Sequence, residues 1–221
     1  MLVAAVIVAA GRGVRAGQAT PKQWLPLAGK TSVDHSLDAF SSHPDIEHLV
    51  LVLHPDDIAV GTWAQRPGIE VVDGGDTRSA SVLAGLQILE GRCDRVLIHD
   101  AARPCVTHSV INSVIEALRY NSAAAPAVPV FDALWRGNDG QVAQTVDRDG
   151  LYRAQTPQGF DFKAILAAHH AYPAGAADDV ELVRKAGLTV AIAPGSEDNL
   201  KITMPEDFER AERILRTRNG H

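Results

Sequence analysis

Residues 9–16 read AAGRGVRA and follow an apolar run, residues 2–8, that predicts a buried first strand of a parallel sheet. Two glycines in this stretch let the backbone turn tightly and approach a ligand closely. Arg12, Arg15 and Lys22 bring positive charge to the same loop, and exposed N–H groups in such a loop can bind phosphate. The stretch therefore predicts a polyphosphate site at the carboxyl end of the first strand of an open α/β sheet.

The glycine spacing also fits the dinucleotide-binding fingerprint, which requires a helix to begin at the glycines. Gly17 and Pro21 would interrupt such a helix. The fingerprint also requires an acid at the end of the second strand, whereas His54 and Pro55 follow the predicted second strand, residues 49–53. The context argues against a dinucleotide site. The glycines alone are also compatible with an ordinary surface turn.

The composition is that of a soluble globular protein, with 46% hydrophobic and 22% charged residues. The length of 221 residues fits one α/β domain, predicted to span 1–221. The formal net charge of −6 argues against a nucleic-acid-binding surface, which would be broadly basic. We see no membrane span or signal peptide, and two cysteines make no disulfide framework. We therefore expect a cytoplasmic protein with no membrane or nucleic-acid partner.

Predicted strands and helices alternate along the chain, which favours an α/β fold: a mostly parallel sheet with helices on both faces. The predicted strands are residues 2–8, 49–53, 69–72, 96–98, 125–130, 189–193 and 200–203. The predicted helices are residues 32–41, 56–64, 78–89, 107–119, 162–171, 178–186 and one that begins near residue 205.

Residues 132–153 break this alternation. Asn-Asp-Gly at residues 138–140 and Asp-Gly at residues 149–150 flank short β-like runs and predict extended hairpin strands. An arm that packs on something is favoured over a floppy loop by four apolar side chains, those of Leu134, Trp135, Val142 and Val146.

Four further segments decide which nucleotide-binding family the chain resembles: DGGDTR at 73–78, HDAARP at 99–104, TPQ at 156–158 and DNLK at 198–201. Together with the first loop and PKQ at residues 21–23, they resemble the 2-C-methyl-D-erythritol 4-phosphate cytidylyltransferase family of the non-mevalonate isoprenoid pathway. The segments follow that family's order and spacing and span nearly the whole chain. Any one of them is a weak signal, whereas the ordered set is a strong one.

The resemblance implies a Rossmann-like nucleotidyltransferase fold and an Mg²⁺-dependent enzyme. That enzyme would transfer the cytidylyl group of CTP to 2-C-methyl-D-erythritol 4-phosphate, giving 4-diphosphocytidyl-2-C-methyl-D-erythritol and pyrophosphate. It also implies a homodimer in which the arm, about residues 132–153, embraces the second subunit and carries residues into its active site.

The matched motifs imply roles for the residues that contact the nucleotide. Arg15, Lys22 and Lys201 would hold the triphosphate and stabilise the pentacoordinate state at the α-phosphorus. Cytosine and ribose would be bound by a set of small and polar residues, namely Ala9, Ala10, Gly11, Gly13, Gly75, Asp76 and Ser81.

The same comparison implies the remaining roles. Asp100 would help to place Mg²⁺, directly or through water, because one carboxylate can suffice for an ion that also binds substrate phosphates. Arg148 and Thr156 would bind the methylerythritol phosphate, with the catalytic Arg148 reaching across from the partner subunit.

This chemistry needs no nucleophilic side chain. A phosphate monoester has a second pKa of about 6 and is therefore already ionised near neutral pH. The remaining task is to position two anions and to stabilise the charge that develops, which calls for Arg and Lys. The sequence accordingly lacks the Gly-x-Ser-x-Gly and His-Glu-x-x-His motifs.

Several other polar residues are expected to be structural. Arg12 is predicted to face solvent. Arg78 and Arg103 either brace loops or contact substrate. Residues 178–179 are predicted to mark a helix N-terminus, and residues 169–170 a solvated helix end.

One residue departs from the family pattern. Most members carry Val-x-Asp-Thr after a strand, and the threonine contacts the substrate phosphate, whereas residues 130–133 here read VFDA. A lost hydrogen bond to a charged group costs about 1.5–3 kcal/mol, so we expect either a weaker KM or a replacement donor for Ala133. DALW at residues 132–135 resembles a subgroup that is fused to a cyclodiphosphate synthase.

Two alternatives remain open. A ribitol-phosphate cytidylyltransferase would share the nucleotide half of the site and differ in its polyol-phosphate pocket. A non-catalytic nucleotide-binding scaffold is disfavoured, because it would not need Arg15, Lys22 and Lys201 to converge on one anion.

Overall fold

The apolar run near the N-terminus forms the central strand β1 (Val3–Val8), in which every residue but the last is buried. The computed structural model describes residues 1–12, 21–61, 66–173, 175–218 and 220, without the side chains of Lys22 and Val60. In it β1 pairs in parallel with a strand on each side. A strand covered on both faces needs apolar side chains at successive positions, and VAAVIV supplies them.

The other elements follow the predicted alternation. The further strands are β2 (Pro26–Leu27), β3 (Lys30–Thr31), β4 (Ile46–Leu53), β5 (Ile69–Asp73), β6 (Arg95–Asp100), β7 (Ala123–Pro129), β8 (Leu134–Asn138), β9 (Gln141–Val146), β10 (Tyr152–Ala154), β11 (Gln158–Asp161) and β12 (Ala191–Pro194). The helices are α1 (Ser32–Ser41), α2 (Pro55–Val60), α3 (Arg78–Ile88), α4 (His108–Ala117), α5 (Phe162–Ala171), α6 (Asp179–Lys185) and α7 (Glu206–Arg218), with a short 3-10 turn at Lys22–Trp24.

The main sheet has eight strands in the order β10-β7-β11-β6-β1-β4-β5, and β12 also pairs with β7. Strands β6, β1, β4 and β5 are parallel, whereas β11 runs antiparallel to β6 and β7. From β1 the chain first builds the sheet outward through β4 and β5 and then returns to place β6 on the other side. The carboxyl ends of β1 and β6 therefore form the topological switch point at which open α/β sheets bind ligands.

The sheet divides the core into two clusters. Ala5 and Ile7 of β1 face the cluster that α1 and α4 cover. Ala4 and Val6 face the opposite cluster, which α3, α5 and α6 cover. Because successive strand residues point to opposite faces, the short run in β1 anchors both layers.

Polar caps fix where three helices begin. Thr107 accepts from the N–H of Val110 and caps α4. Thr77 caps α3 and Asp178 caps α6 in the same way. These caps place Arg78 and Asp179 at the first positions of α3 and α6.

One predicted strand is wrong, and four strands were not predicted. Residues 200–203 are not a strand in the structure; Leu200 and Ile202 bury their side chains in a third apolar cluster with Leu215. The N–H of Ile202 donates to Ala102 O at 2.8 Å. Side-chain burial without sheet pairing therefore produced the strand-like pattern. Two of the unpredicted strands, β2 and β3, are two residues long and pair only with each other. The other two, β10 and β11, are short and depend on β6 and β7 for their pairing.

Strands β8 and β9 form the predicted hairpin as a separate two-stranded sheet. Its turn places Asp139 and Gly140 at positive φ (47° and 77°), as an Asp-Gly hairpin turn requires. Most residues of the hairpin are exposed, including Trp135 and Val142, whose exposed fractions are 64% and 55%. The arm therefore exists in this chain, while what it packs on stays a prediction.

Candidate active site

A cleft of about 900 Å³ opens at the carboxyl edge of β1 and β6. Its walls come from the glycine loop after β1, the turn after β5, the end of β6 and the segment that follows β12. The sequence had singled out eight of its lining residues, Ala9, Ala10, Gly11, Gly75, Asp76, Ser81, Asp100 and Lys201. The fold thus brings separate motifs to one place.

The start of the glycine loop is held by its neighbours. The N–H of Ala9 donates to Val52 O at 2.8 Å. The buried side chain of Gln23 donates from Nε2 to Ala9 O at 2.9 Å and to Gly11 O at 2.8 Å. Sequence reasoning gave Gln23 no role; its position one residue after a predicted phosphate ligand, Lys22, was the available signal.

Three of the predicted nucleotide contacts lie outside the described residues. They are Gly13, Arg15 and the side chain of Lys22, whose backbone begins the turn Lys22–Trp24. Their roles stay predictions.

Arg12 is not simply directed to solvent, because two carboxylates in the first turn of α2 hold it. Its guanidinium pairs with Asp56 and with Asp57, the latter at 3.4 Å. Its Nη2 also lies 2.7 Å from His54 Nδ1. Trp24 donates from Nε1 to the other oxygen of Asp57 at 3.0 Å. Arg12 is exposed, as predicted, and it also ties the glycine loop to α2 through these surface contacts.

The turn after β5 leaves no room for a larger residue at Gly74. A Cβ there would lie 2.4 Å from Ala10 Cβ and 2.9 Å from Ser81 Oγ. The hydroxyl of Ser81 accepts from the N–H of Gly75 at 3.1 Å and donates to Thr77 O at 2.9 Å. The turn is therefore pressed against the glycine loop, and its backbone is fixed at the cleft wall.

Asp100 ends β6 between two cations. Its Oδ1 accepts from Arg78 Nε at 3.1 Å, and its Oδ2 lies 2.6 Å from Lys201 Nζ. Burial alone would raise the pKa of Asp100, but the charges of Arg78 and Lys201 outweigh it and hold that pKa well below its usual range. Asp100 is therefore a carboxylate, and the structure brings it into contact with Lys201, a second residue that the motifs assign to the site.

His99 and Thr156 lie beside Asp100. The hydroxyl of Thr156 accepts from the N–H of Asp100 at 3.2 Å and lies 3.0 Å from His99 Nδ1. His99 Nε2 donates to Arg103 O at 3.2 Å, so the hydroxyl of Thr156 donates to Nδ1. Burial lowers the pKa of His99 to about 4, which keeps the ring neutral. Thr156 is buried, and its hydroxyl proton is donated to His99. The side chain therefore supports the backbone of Asp100. Its contact with substrate stays a prediction.

Arg103 braces the segment that carries Lys201. It donates from Nη1 to Asn199 O at 2.7 Å and from Nη2 to Ala154 O at 3.2 Å. The fully buried amide of Asn199 donates to Thr156 O at 2.8 Å. For Arg103, the bracing role is therefore the one that the structure shows.

Of two expectations about the far side of Arg78, the helix start at residues 178–179 is confirmed but incomplete, and the solvated helix end is wrong for His169. Asp179 is more than the start of a helix, because it is 2% exposed and accepts from Arg78 Nη1 at 2.7 Å. His169 is not solvated, because it is also 2% exposed, and its Nε2 lies 3.2 Å from Asp179 Oδ1. Its position near the end of α5 suggested exposure, but it lies on the face of that helix that packs inward.

The family model of 2-C-methyl-D-erythritol 4-phosphate cytidylyltransferases matches residues 3–217. The chain belongs to this family. A 2-C-methyl-D-erythritol 4-phosphate cytidylyltransferase of Roseobacter denitrificans is 64% identical over 221 residues, which cover all of both chains. A bifunctional enzyme IspD/IspF of Rhodobacter capsulatus is 57% identical over 221 residues, which cover all of this chain and 58% of that relative.

Solved structures agree with the family assignment. The cytidylyltransferase from Thermus thermophilus is 32% identical with a TM-score of 0.81 and covers 98% of this chain and 100% of its own. A 4-diphosphocytidyl-2C-methyl-D-erythritol synthase is 32% identical with a TM-score of 0.84 and covers 96% and 98%. The predicted Rossmann-like nucleotidyltransferase fold is confirmed.

In this member of the cytidylyltransferase family, Arg148 lies on the arm and not in the cleft of its own chain. Its Nη1 donates to Phe131 O. Ala133, the departure from the family pattern, is exposed just before β8. Both residues therefore belong to the arm side of the molecule.

Two features are absent from the described residues, a cluster of metal-binding side chains and a membrane-spanning helix. Among them, no group of three or more His, Cys, Asp or Glu side chains is placed to bind a metal ion. Within the same ranges, no helix is both long and apolar enough to cross a bilayer.

Proposed function

We propose that this protein transfers the cytidylyl group of CTP to 2-C-methyl-D-erythritol 4-phosphate, giving 4-diphosphocytidyl-2-C-methyl-D-erythritol and pyrophosphate. The proposal is carried by the Asp100–Lys201 pair at the switch point of the sheet. It is supported by the 64% identity to the Roseobacter denitrificans cytidylyltransferase over both whole chains.

The cleft suits a reaction between two anions. The attacking phosphate is ionised near neutral pH, since its second pKa is about 6, so the site needs no general base. It must hold the phosphates close together and stabilise the charge that develops as pyrophosphate leaves. Lys201 lines the cleft and would do this together with Arg15 and Lys22.

The opposite wall suits the nucleoside. Ala9, Ala10 and Gly11 line the cleft, together with Gly75 and Asp76 from the turn after β5 and Ser81 from the first turn of α3. Backbone carbonyls can accept from the exocyclic amine of cytosine, which is a donor. We therefore assign cytosine and ribose to this wall, with Gly13 as the remaining predicted contact.

The residues present fit an Mg²⁺ ion that is bound mainly by substrate. Asp100 is an ionised carboxylate whose two oxygens each accept one hydrogen bond from a neighbouring cation and retain further acceptor capacity. Mg²⁺ keeps several waters and needs few protein ligands when phosphates are present. When bound, the ion would neutralise phosphate charge at the α-phosphorus. Asp100 would hold it, directly or through water.

The arm supports a homodimer. It displays apolar side chains that its own chain leaves exposed, Phe131, Trp135, Val142 and Tyr152. An apolar surface of this kind on a protruding hairpin is typical of a protein contact. We infer that a second copy covers it and that Arg148 reaches the methylerythritol phosphate in the partner's cleft, where Thr156 completes the site.

The expected cytoplasmic location agrees with the state of the cysteines. Cys93 and Cys105 are both free, as reducing compartments favour.

Pyrophosphate release tests the reaction. CTP and Mg²⁺ would be offered with methylerythritol phosphate or with ribitol phosphate in parallel, and with Mg²⁺ replaced by a chelator as a control. We expect release with the first substrate only, and only with the metal. Release with ribitol phosphate alone would reassign the substrate. CTP binding without release from either would favour a non-catalytic scaffold.

Subunit mixing tests the arm. An Arg148→Ala chain and a Lys201→Met chain, each inactive alone, would be co-expressed with different tags and purified as the hybrid. If Arg148 acts in the partner's cleft, one cleft of the hybrid has both residues and activity returns. A hybrid as inactive as its parents would place Arg148 in its own chain's site.

Trp135→Glu should shift the sedimentation coefficient from dimer to monomer.

A further inference from the structure

The buried carboxylate of Asp179 belongs to no part of the cleft, yet a single guanidinium connects it to the cleft. Arg78 donates from Nη1 to Asp179 Oδ2 at 2.7 Å and from Nε to Asp100 Oδ1 at 3.1 Å. The same side chain therefore contacts the carboxylate at the end of β6 and one at the first position of α6. The two carboxylates therefore contact different nitrogen atoms of the planar guanidinium of Arg78.

Each oxygen of Asp179 has its own partner, Arg78 at Oδ2 and His169 at Oδ1. His169 Nε2 lies 3.2 Å from its Oδ1, and since a carboxylate only accepts, the ring donates. Ser79, next to Arg78 in α3, lies 3.3 Å from the other ring nitrogen of His169. The four side chains thus form a ring of contacts among α3, α5 and α6.

Burying a carboxylate is costly unless it is paired and hydrogen-bonded. Asp179 is 2% exposed, and its partner Arg78 retains only 30% exposure of its side chain. Lys201, the second cation on Asp100, is 43% exposed. Of the two cations on Asp100, Arg78 is therefore the fixed one, because within the described part of the chain only Arg78 pairs with a second carboxylate.

We propose that Asp179 is a positioning residue for the cytidylyl transfer: it orients Arg78, and through Arg78 it fixes the carboxylate of Asp100 at the cleft. This inference rests on the proposed function of the cleft. A lysine could not replace Arg78, because a single ammonium group lacks the planar, two-edged geometry that contacts both carboxylates.

The first test is Asp179→Asn, which keeps the size of the side chain and removes its charge. The matched control is Asp161→Asn, since Asp161 pairs with Arg95 at 2.5 Å and caps α5 without any contact to Asp100. We expect kcat to fall at least tenfold in Asp179→Asn, with the KM for CTP within threefold of the wild type. In Asp161→Asn, kcat should stay within twofold.

A double-mutant cycle shows whether Asp179 acts through Arg78. Arg78→Lys should lower kcat to a similar degree, and the Arg78→Lys/Asp179→Asn protein should be no slower than the slower single variant. Strictly multiplicative losses would overturn the proposal. So would a kcat within twofold of the wild type in Asp179→Asn, or an equal loss in Asp161→Asn. If Asp179→Asn does not fold, an Arg78→Lys protein with wild-type kcat overturns it.

A readout without turnover separates this inference from the proposed function. Mn²⁺ would be titrated into protein saturated with CTP, with no acceptor present, and free Mn²⁺ counted by its EPR signal. We expect the dissociation constant for Mn²⁺ to be at least threefold higher in Asp179→Asn than in the wild type and in Asp161→Asn. Equal retention in all three overturns the positioning role. Failure of the wild type to release pyrophosphate would instead overturn the function.

Discussion

The ammonium group of Lys201 lies 2.6 Å from Oδ2 of Asp100, although 101 positions separate the two residues in the chain. Asp100 belongs to β6, at the centre of the sheet, whereas Lys201 follows β12, at one side of it. The segment that carries Lys201 is pinned by Arg103 and Asn199. The contact therefore depends on a loop that is braced over the carboxyl end of β6.

Replacing Lys201 should remove charge stabilisation at the reacting phosphates. We expect Lys201→Met to lower kcat/KM at least about 100-fold, the range seen when one preorganised donor to a developing anion is lost. Steady-state kinetics with both substrates measures it. Lys185→Met is a matched control, because Lys185 pairs with Glu181 on the surface of α6; it should stay within twofold. A loss below threefold in Lys201→Met would refute the assignment.

Gly74→Ala should damage both stability and nucleotide binding. The new Cβ would lie 2.4 Å from Ala10 Cβ and 3.2 Å from Leu53 O, so the turn must shift away from the glycine loop. We expect a loss of about 1–3 kcal/mol in the free energy of unfolding and at least tenfold weaker CTP binding by calorimetry. Gly137→Ala, whose Cβ meets only Gln141 O at 3.7 Å, should unfold like the wild type. Equal behaviour of the two variants would contradict the prediction.

The buried ring of His99 should make the protein less stable in acid. Burial lowers its folded-state pKa to about 4, below the ordinary value of about 6.5. Between these values the unfolded chain binds a proton that the folded chain does not, so acidification favours unfolding. The contribution is complete above about pH 6.5 and is lost as the pH falls toward 4, by at most about 1.4 kcal/mol per pH unit.

Urea unfolding from pH 4.5 to 7.5 measures this loss. His99→Gln has no titrating ring at this position, so its stability deficit relative to the wild type should shrink as the pH falls. In NMR spectra, the ring signals of His99 should not titrate between pH 7 and 5. A midpoint near pH 6.5 would show that the ring is not desolvated.

Both cysteines should react slowly with thiol reagents. Burial raises the pKa of Cys93 and of Cys105 to about 11, so only about one thiol in a thousand is ionised at pH 8. Ellman's reagent should modify the folded protein at least 100-fold more slowly than glutathione, and two thiols should appear at once in guanidinium. A fast-reacting thiol in the folded protein would contradict this.

Local patterns predicted much of the fold. The run in β1 needed apolar residues at every position, and the helices α1, α3 and α5 began where the spacing of apolar residues indicated. Strands β10 and β11 were missed because they are three and four residues long and are extended only where β6 and β7 pair with them. The strand assigned to residues 200–203 was wrong because burial of alternate side chains does not require a sheet neighbour.

The sequence by itself determined the family, the α/β class and the motifs whose residues line the cleft, because each of these depends on residue types at short, regular spacing. Only the tertiary structure decided that Arg78 bridges Asp100 and Asp179, that His169 is buried and that Arg12 is held by α2. Such contacts join residues that lie as far as 101 positions apart. Their geometry is set by how helices and strands pack, and the local spacing of residue types does not determine that packing.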